Sequence, residues 1–219
     1  MLFAIFTGTV IGTLSSLWIQ KTCHISPYKT PKLFHSCKSC TKWYVRFPVT
    51  RWFVCHNRCM DPIPFFCNEF FHILSFCILS GYSLPTGLRL LYMAFLSVNI
   101  TLASIDYHTR TLPLYMVCLN ALFCILLTKQ TLTAVPFSLL VILPVWLISL
   151  YKDCIGTGDI LVLLSYAILF PIPRFFVLLG LSCLFCCIFI LWQHKRNEEH
   201  SSFPFLPSLV LAMEIVLFV

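Results

Sequence analysis

Residues 87–113 read GLRLLYMAFLSVNITLASIDYHTRTLP, an apolar run that meets an acid at Asp106 and a proline at Pro113. A helix needs about 20 predominantly apolar residues to cross the hydrocarbon core of a bilayer. The run is that long, and an ionisable side chain at its end is costly enough to mark a functional site. A second acid closes Gly156-Thr157-Gly158-Asp159, directly before Ile160-Leu161-Val162-Leu163-Leu164. Two carboxylates are the residue types that share a proton and activate water, so Asp106 and Asp159 are the candidate catalytic pair of a membrane-embedded aspartic protease.

The rest of the chain repeats the apolar pattern. Hydrophobic residues make up 59% of the sequence and charged ones 11%, with a mean hydropathy of +0.89, far from the soluble average. The predicted fold class is an all-α polytopic membrane helical bundle of about eight spans. They fall near 2–20, 66–84, 87–105, 112–129, 132–151, 159–173, 175–193 and 203–219. Residues 1–20 form a first transmembrane helix, 21–65 a cytoplasmic cysteine-rich loop domain and 66–219 the peptidase bundle. No Lys or Arg precedes the first apolar run, so this segment reads as a retained helix rather than a cleaved signal.

Basic residues set the orientation, because they concentrate in cytoplasmic loops. With the N-terminus outside, Lys21, Lys29, Lys32, Lys38, Lys42, Arg46, Arg51 and Arg58 lie in the first inner loop. Arg110, Lys152, Lys195 and Arg196 fall in later inner loops, leaving Arg89, Lys129 and Arg174 outside. This arrangement predicts a multi-pass plasma-membrane protein with both termini outside and both acids near the cytoplasmic face. The net charge of +7 is accounted for by this asymmetry and by contact with anionic lipid headgroups. No nucleic-acid motif is visible.

Residues 21–64 hold the densest charge and a patterned set of cysteines. Cys37-Lys38-Ser39-Cys40 is followed by Cys55-His56-Asn57-Arg58-Cys59, two ligand pairs at an interval that small structural zinc sites use. Zinc would let a loop too small for its own core fold as a unit. Cys37, Cys40 and Cys59 are three ligands; the fourth is His56, which keeps the two-residue spacing, or alternatively Cys55. Free thiols, or disulfides if the topology is inverted, explain the same residues without metal. Cys67, Cys77, Cys118, Cys124, Cys183, Cys186 and Cys187 read as small apolar residues of helices.

Each acid also has a purely structural explanation. Asp159 follows Gly-x-Gly and can be a cap or first-turn residue of the span it precedes. Asp106 closes a span at the dipole end that disfavours negative charge, and a salt bridge to Arg110 is its best structural account. If the acids meet, Gly156 and Gly158 let backbone and substrate approach closely, and Pro113 restarts a helix after a short break. One acid then holds the shared proton while the other, Asp159 at its helix N-terminus, deprotonates water.

These residues resemble the type IV prepilin leader peptidases, and more closely the smaller Gram-positive branch that processes late-competence pseudopilins. The resemblance runs through the chain in order. It takes in Gly8 and Gly12-Thr13-Leu14, the cysteine loop, Asp106-x₆-Pro113, Gly156-x-Gly158-Asp159 and Phe203-Pro204-Phe205-Leu206-Pro207. Glu69 is similar to the family's acid at the start of the second helix, and reads equally well as a helix-start acid. The resemblance implies a metal-independent aspartyl endopeptidase that removes the short basic leader of a prepilin or pseudopilin at the cytoplasmic membrane surface. Asp106 and Asp159 carry over as its catalytic pair.

The chain departs from the family pattern in two places. Leu161 stands where many relatives carry a Lys, and the second ligand pair is His56-x-x-Cys59 or Cys55-x₃-Cys59. Some relatives methylate the new N-terminus with S-adenosylmethionine, but no glycine-rich cofactor loop supports that here, and no residue is assigned to it. The alternative from another class is a non-enzymatic transporter or membrane assembly factor that uses the two acids for ions or protons. No convincing repeat between halves, of the kind transporters usually show, supports it.

Overall fold

The computed structural model describes residues 1–22, 63–109, 111–128, 140, 142–144, 146–147, 156–195 and 204–219. Among them the chain is all-helical. Seven helices have described bounds: α1 Leu2–Thr22, α2 Ile63–Ser80, α3 Thr86–Thr109, α4 Leu114–Leu127, α5 Thr157–Leu169, α6 Ile172–Lys195 and α7 Leu206–Phe218. Residues 142–144 are helical as well. Among the described residues three stretches are long and apolar enough to cross a membrane: Leu2–Ile19, Thr86–Thr109 and Ile172–Leu191. The apolar helices Cys67–Ser80, Leu114–Leu127, Thr157–Leu169 and Leu206–Phe218 are shorter. At 1.5 Å per residue a helix of 13 residues reaches only about 20 Å. The expected cysteine-rich loop and most of the expected span at 132–151 lie outside the described residues.

Helix ends follow the backbone rather than hydropathy. The span expected to stop at residue 105 continues as α3 to Thr109, so Asp106 lies inside the last turn instead of just beyond it. Pro113 is what ends this region: a residue preceding proline is pushed out of the helical basin, and Pro113 is the N-cap of α4 in an extended conformation. Thr109 Oγ1 donates to the Thr111 carbonyl at 3.1 Å and accepts from Thr111 N–H at 3.4 Å, bridging the break. Pro171 plays the same part after α5, where the Phe170 N–H closes the helix on the Tyr166 carbonyl at 2.9 Å.

Several hydroxyls inside these apolar helices are satisfied by their own helix. Thr7 donates to the Phe3 carbonyl, Thr9 to Ile5, Ser97 to Met93 and Ser165 to Leu161, all at 2.8–2.9 Å. Bonding back to the preceding turn removes the cost of an unpaired donor where water is absent. The seven described cysteines are free thiols within helices, which fits their role as small apolar residues.

The chain divides into two compact units, Met1–His108 and Thr109–Val219. In the first, α1 lies along α2 at very short range, with two glycines making the approach. A Cβ on Gly8 would stand 2.8 Å from Ile73 Cα, and one on Gly12 would stand 2.9 Å from Glu69 Cα. Glycines four residues apart present one bare stripe of helix, the geometry that lets membrane helices pack backbone to backbone. α3 joins them through Ile105, which packs in a buried cluster with Ile19 and Trp18.

In the second unit α4 packs on α5, and α6 on α7. Leu112, just before α4, lies against Gly158 in the first turn of α5. Thr128, at the end of α4, donates to the Ile168 carbonyl at the end of α5, 2.7 Å away. Start meets start and end meets end, so the two helices run parallel.

Candidate functional site

Asp106 belongs to the first unit and is 6% exposed, held on the last full turn of the longest described apolar run. Its neighbours in sequence show how that turn is fixed. Ser104 donates to Asn68 Oδ1 at 2.9 Å, Ile105 packs beside Ile19 and Trp18, and the Tyr107 and His108 rings meet edge to face at 5.4 Å. Arg110, the proposed structural partner of this acid, lies outside the described residues.

Asn68 is the hub of that end of the first unit. Its Nδ2 donates to the Gly12 carbonyl at 3.2 Å and to Ser16 Oγ at 2.8 Å, while its Oδ1 accepts from Ser104. One buried amide therefore ties α1, α2 and α3 together. Ser15 and Thr101 add a hydroxyl pair at 2.7 Å between α1 and α3. Such bonds across helices contribute about 0.6–2 kcal/mol each in a membrane, and here they fix the register of the helix that carries Asp106.

Glu69, expected as an acid at a helix start, is the seventh residue of α2. It is 2% exposed and accepts from Thr13 Oγ1 at 3.1 Å. Capping does not explain it, because it lies a full turn beyond the positions where a helix leaves free N–H groups.

Asp159 belongs to the second unit, as the third residue of α5. Gly156 is the N-cap, with φ −63° and ψ 142°. A Cβ on Gly156 would stand 3.3 Å from Asp159 Oδ2, so the carboxylate folds back over the start of its own helix. The position stabilises a negative charge through the N-terminal dipole, and any side chain at Gly156 would crowd that oxygen. Gly158 serves a different purpose. A Cβ there would meet Leu112 Cδ1 at 2.8 Å and Leu112 Cβ at 3.1 Å. The segment that ends in Pro113 and the Gly-x-Gly-Asp turn are therefore packed directly on each other, through Leu112 and Gly158.

That contact makes a specific prediction. Gly158→Val should destabilise the second unit by about 1–3 kcal/mol, the usual penalty for overpacking. Leu112→Ala in the same chain should recover part of the loss, because it clears the atoms that the new side chain meets. Thermal denaturation of the four chains in detergent gives the cycle; additive losses would show that Leu112 and Gly158 do not share this contact.

Sequence reasoning missed the Asn68 hub and Glu214, a buried acid within the apolar helix α7. Glu214 and the Cys124 thiol lie near enough to act electrostatically on the fully buried Tyr166 ring hydroxyl. The available signal was the same one that found Asp106, a polar residue inside an apolar run. Cys37, Cys40, Cys55, His56 and Cys59 lie outside the described residues, and among the described residues no group of three or more potential metal ligands occurs. No family model matches the chain, and neither does any curated protein or solved structure.

Proposed function

We propose that this chain is a membrane-embedded aspartic endopeptidase that removes the short basic leader of type IV prepilins or competence pseudopilins at the cytoplasmic membrane face. The observation that carries most weight is the Leu112–Gly158 contact. Two motifs 40 to 50 residues apart in sequence, one opening on an acid and the other closing on one, have segments packed together. The parallel run of α4 and α5 supports the multi-pass topology, since parallel neighbours require the chain to return between them. Large exposed apolar side chains on α4 and α6, among them Leu114, Leu126, Phe176 and Leu191, support a lipid-facing surface.

Asp106 and Asp159 act as a pair. Asp159, stabilised as a carboxylate by the α5 N-terminus, takes a proton from water, and the water oxygen attacks the scissile carbonyl. Asp106, buried at the C-terminal end of α3 where a second anion is disfavoured, enters protonated and hydrogen-bonds the developing oxyanion. The proton that Asp159 took from water then passes to the amide nitrogen as the oxyanion returns to a carbonyl and the C–N bond breaks, which leaves Asp159 a carboxylate and Asp106 protonated, as they began. The apolar helix of the substrate enters from the bilayer, while its basic leader stays in the cytoplasm. Cys37, Cys40 and Cys59, with His56 or Cys55, would hold a structural zinc, which would supply the cross-link that a loop without its own core needs. Methyl transfer from S-adenosylmethionine has no assigned residue.

Co-expression with a panel of leader-bearing pseudopilins tests this function. The expected outcome is a single cut immediately before the substrate's apolar helix, read from the mass of the product N-terminus, with one zinc per purified chain. Panel-wide absence of shortening at matched membrane levels would contradict the function, and sub-stoichiometric zinc would contradict the loop assignment alone.

A further inference from the structure

Glu69 and His72 are three residues apart on α2, close to one turn, so they share a face. Both stand at the α1 contact: a Cβ on Gly12 would lie 3.4 Å from Glu69 Cγ and 3.4 Å from His72 Cβ. Both are buried, at 2% and 0% exposure. Each is half satisfied. Glu69 Oε1 accepts from Thr13 Oγ1, whereas Glu69 Oε2 has no partner. His72 Nδ1 lies 2.7 Å from the Asn68 carbonyl, whereas His72 Nε2 has no partner.

The chemistry of the satisfied halves fixes the unsatisfied ones. A carbonyl oxygen only accepts, so His72 Nδ1 carries the hydrogen, and in the neutral ring Nε2 is a bare lone pair. Glu69, if ionised, offers Oε2 as a second acceptor. Two acceptors buried on one face of an apolar helix contact call for a donor. No ion pair reaches Glu69 among the described residues, and α1 brings only the hydroxyls of Thr13, Ser15 and Ser16 to this level. The other ionisable groups of the three helices are Lys21 on α1, Cys67 and Cys77 on α2, and Arg89, Tyr92, Asp106, Tyr107 and His108 on α3. Among the described residues no hydrogen bond reaches Glu69 Oε2 or His72 Nε2, and Arg89 is turned to the Tyr82 and Leu84 carbonyls at the opposite end of α3. An uncompensated buried charge is far costlier than a proton taken from solvent.

We infer that Glu69 and His72 form a proton-binding site inside the α1–α2 contact, which holds one proton and a bridging water between Glu69 Oε2 and His72 Nε2. Loading adds a proton to the carboxylate and breaks no other bond. The neutral acid donates through the water to His72 Nε2, and every polar atom of the pair is then satisfied. Gly12 is what makes room for both side chains beside α1. The site uses neither of the two acids assigned to cleavage and stands whether or not that assignment holds.

Infrared difference spectra of the full chain in lipid nanodiscs, recorded between high and low pH, test it. The wild type is expected to gain a carbonyl stretch of a neutral carboxylic acid as the pH falls. Glu69→Gln should remove that band, and Asp106→Asn should leave it. His72→Gln should move its midpoint by at least one pH unit, a tenfold change in proton affinity. Thr13→Val should shift its frequency, because Oε1 loses its donor. Thr13→Val and His72→Gln keep the test decisive if Glu69→Gln folds poorly. A band that survives Glu69→Gln, or one that neither Thr13→Val nor His72→Gln moves, would overturn the site.

Discussion

Asp106→Asn and Asp159→Asn are each expected to lower the rate of leader cleavage by about 10³-fold or more, equivalent to about 4 kcal/mol of transition-state stabilisation. The double replacement should cost little beyond either single one. Groups that work as one acid–base unit lose their function together, so their losses do not add. An amide cannot exchange a proton with water, yet it keeps the size and much of the hydrogen bonding of the carboxyl, so the membrane level of each variant should match the wild type. The prediction separates the pair from structural acids. If Asp159 only caps α5, its replacement by Asn, itself a good capping residue, should leave cleavage nearly unchanged. If Asp106 only pairs with a neighbouring cation, its loss should lower stability rather than turnover.

Gly12→Val is expected to disrupt the first unit strongly. The new Cβ would fall 2.9 Å from Glu69 Cα, and the obstacle is backbone, which cannot rotate away. α1 and α2 must then separate, which breaks the Thr13–Glu69 bond and both bonds from Asn68 to Gly12 and Ser16. Overpacking alone costs about 1–3 kcal/mol; the lost bonds add to it. Thermal denaturation in detergent should show a large fall for Gly12→Val. A valine at Gly87, where a Cβ would have open space within 4 Å, should be neutral or slightly stabilising, because glycine is the poorer helix former of the two. Equal stability of the Gly12 and Gly87 variants would remove the close α1–α2 approach from the account.

The two kinds of information in this chain differ in how far the sequence carries them. Apolar runs gave the helices, because transfer of apolar surface is additive along a segment and needs no knowledge of partners. The run at 175–193 lies within Ile172–Lys195, and that at 2–20 within Leu2–Thr22. Ends were less legible. Hydropathy stops α3 at its acid, whereas the backbone continues to Thr109 until the residues before Pro113 can no longer be helical. Likewise α2 begins at Ile63, which moves Glu69 from a helix start to the second turn, where it is buried against Thr13.

Long-range polar bonds were not legible at all. Asn68 and Ser104 are 36 residues apart, and a periodic pattern says which face a side chain is on but not which helix that face meets. A short polar residue in an apolar run reads as a blemish until its partner is known. The Gly8 and Gly12 pair was visible as a spacing, but its consequence, backbone-to-backbone contact with the segment from Glu69 to Ile73, required the neighbour. The metal ligands rest on spacing alone, because Cys37 to Cys59 lie outside the described residues.

The most direct test of the central claim is the N-terminal mass of a pseudopilin precursor after incubation in proteoliposomes with the purified wild type, Asp106→Asn or Asp159→Asn protein. The account predicts one shortened product with the wild type, cut just before the apolar helix, and intact precursor with either variant. A correctly shortened product from either variant at the wild-type rate would contradict the assignment of Asp106 and Asp159 as the catalytic pair.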